Sequence, residues 1–224
     1  MINPLLRYLK NPEYIYKPCT LNYLSSVGII GKSLLVYLGF ILVSSVIVIL
    51  PIQLFDLAPA QDIKNLPLTF KILVFVPLYE ELIFRLPLRF SPKNIFISIG
   101  TLVCLLLNKV SNIYIGLGIG LIIATIPFFM LPYLNIFKHI QYLYLKHYKT
   151  IFYIFFLGFG MVHLTNYVLT DLYHFLIAPL LVINQVFMGL LLGFVRVQYK
   201  YGFLYSFIIH SSINLIFLVP KNSF

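Results

Sequence analysis

The chain has 224 residues, of which 61% are hydrophobic and only 10% charged, and its mean hydropathy is +0.97. Soluble domains carry about 45–50% apolar and about 25% charged residues, so this composition excludes a soluble globular domain and predicts a polytopic membrane protein of one domain. The net charge of +10 would suggest nucleic acid in a soluble protein. Here the basic residues cluster between apolar runs, so they read as anchors beside anionic lipid, with no nucleic-acid partner.

A membrane-crossing helix needs about 20 apolar residues, and runs of that kind can be taken in order. Residues 1–33 are polar and aromatic, interrupted by Pro4, Pro12 and Pro18. They predict a cytoplasmic or interfacial arm with a short helix and no cleavable signal. The first span is expected over 34–55, followed by a loop over 56–69. A second span covers 70–88, a basic turn 89–93, a short third span 94–107 and a tight turn 108–112. A fourth span is expected over 113–134, then a basic, Tyr-rich loop over 135–150. Spans five, six and seven are placed at 151–169, 174–195 and 202–219, with a turn at 170–173. The predicted fold class is therefore all-α: a bundle of about seven transmembrane helices around a central polar cavity, as one domain over 34–224. With the N-terminus in the cytoplasm, 12 of the 16 Lys and Arg residues fall inside, which supports that orientation. Gly158, Gly160, Gly189 and Gly193 predict close helix approach in spans five and six. Cys19 and Cys104 lie far apart with no CxxC spacing, and neither a disulfide nor structural zinc is expected.

Strongly polar residues at membrane depth are few, and they carry the functional signal. Glu80, Glu81 and Arg85 lie on span two, His163 on span five, Asn184 and Gln185 on span six, and His210 and Asn214 on span seven. An ionisable group in hydrocarbon costs about 2.5–3.5 kcal/mol on insertion scales, so it is kept with a partner or a task. Glu81 and Arg85 are i, i+4 and share a helix face. Glu80 is rotated about 100° away and needs a partner from another helix. His210 and Asn214 are also i, i+4, as are Phe159 and His163. All four of Glu80, His163, His210 and Asn214 fall at compatible depth. Together they are the ingredients of hydrolysis: a carboxylate that takes a proton from water, a histidine that holds it, and a His/Asn pair that donates to an oxyanion. Competing readings are a proton relay or cation site at the glutamates, packing histidines, and zinc held by Glu80, His163 and His210. The HExxH helix that usually supplies a zinc set is absent. Asn184 and Gln185 read as inter-helix hydrogen-bonding groups. His139, His147 and His174 read as interfacial.

The series Glu80-Glu81-x-x-x-Arg85, Phe159-x-x-x-His163 and His210-x-x-x-Asn214 resembles the three signature motifs of the CPBP family, the CAAX proteases and bacteriocin-processing (Abi) enzymes. The run Met188 to Gly193 also looks like the family's approach to its last motif. The resemblance covers about residues 70–217. One departure is Leu86-Pro87 after the motif arginine, where the family often has Gly; Pro87 predicts a helix end or kink there.

The resemblance implies an intramembrane endopeptidase of the glutamate type. Glu80 is then the general base, His163 positions the water, and His210 with Asn214 forms the oxyanion hole. Glu81 acts beside Glu80 in the catalytic set, Arg85 and Phe159 support it, and no cofactor is required. The family was long described as metal-dependent, and the sequence leaves a divalent metal such as zinc open. The implied substrate is a peptide or membrane protein. The implied setting is the bacterial inner membrane, with the lipid bilayer as a further partner. Two readings of other classes compete: a non-catalytic bacteriocin-immunity or partner-binding protein of the same fold, and a small proton-coupled transporter.

Overall fold

A computed structural model describes residues 1–54, 71–110, 113–130 and 134–218. The expected loop 56–69, the start of span two at Phe70, part of the turn 108–112 and the end of span seven lie outside the described residues. The described residues are mostly helical and hold no strand element, with residues 11–22 as the longest non-helical stretch among them. Three stretches, Tyr23–Leu50, Tyr148–Asn166 and Leu172–Gln198, are long and apolar enough to cross a membrane. Pro92–Asn108, Tyr114–Ile126 and Gly202–Phe217 are shorter apolar helices.

The N-terminal arm holds one short helix, α1 (Ile2–Lys10). The first long helix, α2, runs Tyr23–Leu54 and so begins well before the expected position 34. Asn22 explains the early start: its Oδ1 accepts a hydrogen bond from the Ser25 backbone N–H at 2.8 Å. This is an Asx cap on the third donor of the helix. No proline intervenes before Pro51.

Span two is broken where one continuous helix was expected. A π-helical turn (Lys71–Phe75) leads into α3 (Val76–Phe84), which ends at Arg85 in a 3-10 turn (Leu86–Leu88). Two prolines set these limits. Pro77 sits in the first turn of α3, where its missing N–H costs nothing. Pro87 cannot supply the donor a further α-turn needs. Helices α4 (Pro92–Val110) and α5 (Ile113–Met130) form a hairpin. Their backbones approach so closely that a Cβ on Gly100 would collide with the Gly120 carbonyl oxygen.

The basic region 135–150 is not a loop. It forms α6 (Leu134–Lys146) and the start of α7 (Tyr148–Val162). It holds no Gly or Pro to interrupt a helix, and Tyr144 and Tyr148 bury one face. After Val162 the chain tightens into a 3-10 turn (His163–Asn166). The expected sixth span divides into α8 (Leu172–Leu181) and α9 (Ile183–Gln198), with Val182 between them at φ −105°, ψ 11°. Pro179 inside α8 removes a backbone donor just before this break. The last helix, α10, runs Gly202–Leu218.

Helices α7 and α9 pack directly, with small residues at the crossing. A Cβ on Gly189 would lie 3.1 Å from the Phe156 carbonyl oxygen, and one on Gly193 3.1 Å from the Phe152 ring. The end of the bundle that carries the N-terminus is tied by the arm. The Cys19 N–H donates to the Gln198 carbonyl and the Lys200 N–H to the Cys19 carbonyl, both at 2.9 Å. Tyr8 stacks edge-on against Phe152, and its hydroxyl lies 3.2 Å from that of Tyr148. Burial pushes the Tyr8 and Tyr144 phenols above their ordinary range, so both remain neutral hydrogen-bonding groups.

Candidate active site

Four of the expected site residues meet in one place. Glu80 of α3, His163 after α7, and His210 and Asn214 of α10 line a cavity of about 490 Å³. Ligand sites are usually about 300–1,000 Å³. Glu81, Arg85 and Phe159 do not line it. They form the layer behind it, and each is at most 1% exposed.

The two glutamates therefore occupy different environments. The Glu81 side chain is 0% exposed, and its Oε1 lies 3.4 Å from Arg85 Nε. The Glu80 side chain is 22% exposed. Its Oε2 is 3.2 Å from His210 Nε2 and its Oε1 4.0 Å from His163 Nε2. Helical rotation causes the difference: adjacent residues point about 100° apart, so one carboxylate meets the cavity and the other meets Arg85.

His210 joins the two carboxylates. Its Nδ1 lies 3.0 Å from Glu81 Oε1 while Nε2 faces Glu80. A carboxylate only accepts hydrogen bonds. Nδ1 hydrogen-bonds with Glu81, Nε2 stands 3.2 Å from Glu80, and the His210 side chain is only 2% exposed. Asn214, one turn along α10 from His210, also lies on the cavity wall. His163 is set by its own helix. Its Nδ1 lies 2.8 Å from the Phe159 carbonyl oxygen, which can only accept. Nδ1 therefore carries the proton, and Nε2 presents its lone pair toward Glu80 when the ring is neutral.

Phe159, 0% exposed, is the hub behind the site. The Arg85 guanidinium carbon sits 3.8 Å over its ring. Its edge meets the rings of Phe84, His163 and His210 at centroid distances of 5.5, 4.8 and 5.9 Å. The Phe159/His163 spacing thus places one aromatic plate under a cation and two imidazoles.

Sequence reasoning missed the residues that fix the end of α3. Arg196 of α9 donates through Nε to the Arg85 carbonyl at 3.1 Å and through Nη2 to that of Leu86 at 3.4 Å. Tyr144 of α6 donates to the Pro87 carbonyl at 2.6 Å. Arg89 returns the favour to α9, donating to the carbonyls of Val197 (3.0 Å), Tyr199 (2.6 Å) and Lys200 (3.2 Å). Each arginine caps the C-terminal carbonyls of the other's helix, where orphan acceptors and the negative dipole end favour a cation. The signal in the sequence was a cation near each helix end, Arg89 just past α3 and Arg196 in the last turn of α9. It was read only as part of the positive-inside bias.

Among the described residues, no group of three or more His, Cys, Asp or Glu side chains is placed to hold a metal ion. Comparison with protein-family models, with curated proteins and with solved structures finds no match for this chain. The site must therefore be read from its own chemistry.

Proposed function

We propose that this protein is a membrane-embedded endopeptidase in which Glu80 activates the attacking water. The reading extends the CPBP resemblance to a seven-span bundle in a bacterial inner membrane, N-terminus cytoplasmic, acting on peptide or membrane-protein substrates. The observation that carries it is the asymmetry of the glutamates: Glu80 opens to the cavity between two histidines, while Glu81 is sealed against Arg85. A purely structural pair would have both carboxylates sealed.

The chemistry follows from the distances. Glu80 Oε1 and His163 Nε2, 4.0 Å apart, are too far for a direct hydrogen bond and suited to sharing one water. That water donates one hydrogen to each and turns its oxygen lone pair toward a scissile carbonyl. Glu80 takes a proton as the O–C bond forms. The oxyanion is met by the Asn214 amide. The C–N bond then breaks, and Glu80 returns the proton to the leaving amine. His210, whose Nε2 lies 3.2 Å from Glu80 Oε2, fixes which carboxylate oxygen faces the water. Glu81, held by Arg85, anchors His210 from behind.

The test uses purified protein in lipid vesicles, a digest of bacterial membrane proteins as substrate mixture, and mass spectrometry of new termini. Wild type generates them; Glu80→Gln and His163→Ala do not. Full turnover by both variants on a peptide that wild type cuts sinks the reading.

A further inference from the structure

Helix direction sets the two ends of the bundle apart. The arm ties one end, through Cys19 to Gln198 and Lys200 and through Tyr8 to Tyr148. That end holds the start of α7, the last turn of α9, the start of α10 and the C-terminal end of α3, which Arg196 caps. The cavity is lined from the opposite direction. Val76 is the first residue of α3, Thr165 and Asn166 belong to the turn that closes α7, Asn184 stands in the first turn of α9 and Phe217 in the last turn of α10. Depth alone does not say from which side a substrate arrives, because His210 lies about 12 Å along α10 from either end.

Packing decides the side. Toward the arm, the site is backed by Glu81, Arg85 and Phe159 and, along α9, by Leu191, Leu192 and Val195, none more than 1% exposed. Toward the far end, the lining finishes in Thr165 and Asn166, both exposed. Polar side chains exposed at a helix end stand in water or headgroups rather than in hydrocarbon. Charge then assigns the two ends. Arg7, Lys10, Arg89, Lys149, Arg196 and Lys200 gather at the arm end, where Lys149 Nζ donates to the Lys10 carbonyl at 3.4 Å and Arg89 to that of Lys200. The opposite helix ends carry Lys71 and Lys109. Basic residues concentrate on the cytoplasmic side of a membrane protein. We infer that the cavity opens away from the cytoplasm, so that its substrate is an exported peptide or the outer segment of a membrane protein. The reaction that supplies this substrate is then translocation or membrane insertion, completed before the segment meets Glu80. The inference rests on the endopeptidase reading, with its cytoplasmic N-terminus, and adds the side from which the cavity is filled.

The native cysteines make the test direct, since Cys19 in the arm is exposed and Cys104 on α4 is buried. Asn166→Cys adds a thiol at the far rim. The full-length protein is expressed in a bacterial host, and a membrane-impermeant maleimide is applied to spheroplasts, which present the outer face, and to inverted vesicles, which present the cytoplasmic face. Modified peptides are identified by mass spectrometry. The thiol at position 166 reacts in spheroplasts and loses its labelling in inverted vesicles, and Cys19 does the reverse. Cys104 stays unmodified in both, which a misfolded variant does not show. Wild type supplies a second reading that needs no added cysteine. The membrane-protein digest is offered to each preparation, with Glu80→Gln as the blank for host proteases. Glu80-dependent new termini appear with spheroplasts and are lost with inverted vesicles. Labelling of position 166 from the cytoplasmic face overturns the inference, as does labelling of both thiols from one face. So does Glu80-dependent cleavage confined to inverted vesicles. Labelling of position 166 from the outer face and of Cys19 from the inner, without cleavage in either preparation, keeps the side of opening and overturns the endopeptidase.

Discussion

The α4–α5 hairpin and the site layer of α3, α7, α9 and α10 are both packed helices of similar hydropathy, and they are held by opposite means. The hairpin is joined by absence of side chain: Gly100 and Gly120 place their backbones against each other, and a Cβ on Gly120 would lie 2.7 Å from the Gly100 carbonyl oxygen. The site layer is joined by charge: Glu81, Arg85, Arg196 and His210 are all at most 6% exposed, and each hydrogen-bonds or pairs across or along a helix. Shape contacts among small residues give adhesion. Directional contacts to charged groups additionally fix the rotation of a short helix about its axis. Helix α3 has only 9 residues, too few to hold its own rotation by packing, and that rotation decides which glutamate meets the cavity.

The comparison can be broken first at its most consequential point. Glu80→Gln is isosteric and removes the base. Turnover on the membrane-protein digest falls by about 10²–10⁴, with little change in thermal unfolding in detergent. Glu81→Leu does the reverse kind of damage. It leaves the Arg85 guanidinium buried without its carboxylate and costs about 3–5 kcal/mol, read as a large drop in melting temperature. If the two variants behave alike, the division between a reactive and a structural glutamate is wrong. In the hairpin, Gly120→Leu forces α4 and α5 apart. It destabilises by about 1–3 kcal/mol while the surviving folded fraction keeps its turnover per molecule. A loss of turnover beyond the folded fraction would show the hairpin to be coupled to the site. The smallest effect belongs to the anchor at the α3 end: Tyr144→Phe removes only the hydrogen bond to the Pro87 carbonyl and costs about 0.5–1.5 kcal/mol. Its turnover falls only if the 3-10 turn after Arg85 helps set the angle of Glu80.

Much of this was legible in the residues. Spacing alone separated Glu80 from Glu81, because a 3.6-residue turn allows Glu81 and not Glu80 to share a face with Arg85. Depth along the apolar runs put His163, His210 and Asn214 within reach of Glu80. The prolines at 77 and 87 announced a short, interrupted second span, though the reading used only the latter. Other features were hidden. The region 135–150 looks like a basic loop because its charges face outward, and its helicity rests on Tyr144 and Tyr148 finding buried partners. The arginines were visible near their helix ends, but their capping partners were not, because those are backbone carbonyls, which every sequence has.

What the sequence by itself determined is the class of molecule and the roster of polar groups: an apolar helical chain cannot cover itself against water, and costly carboxylates inside it must have partners. What only the tertiary structure decided is how those groups divide the work. Two acceptors 129 and 130 residues from His210 in the chain converge on its two nitrogens, because α10 happens to pass beside the single turn of α3 that carries both. Hydrogen bonds are satisfied through space, and a ring with two nitrogens can serve two partners only where the fold brings both to it.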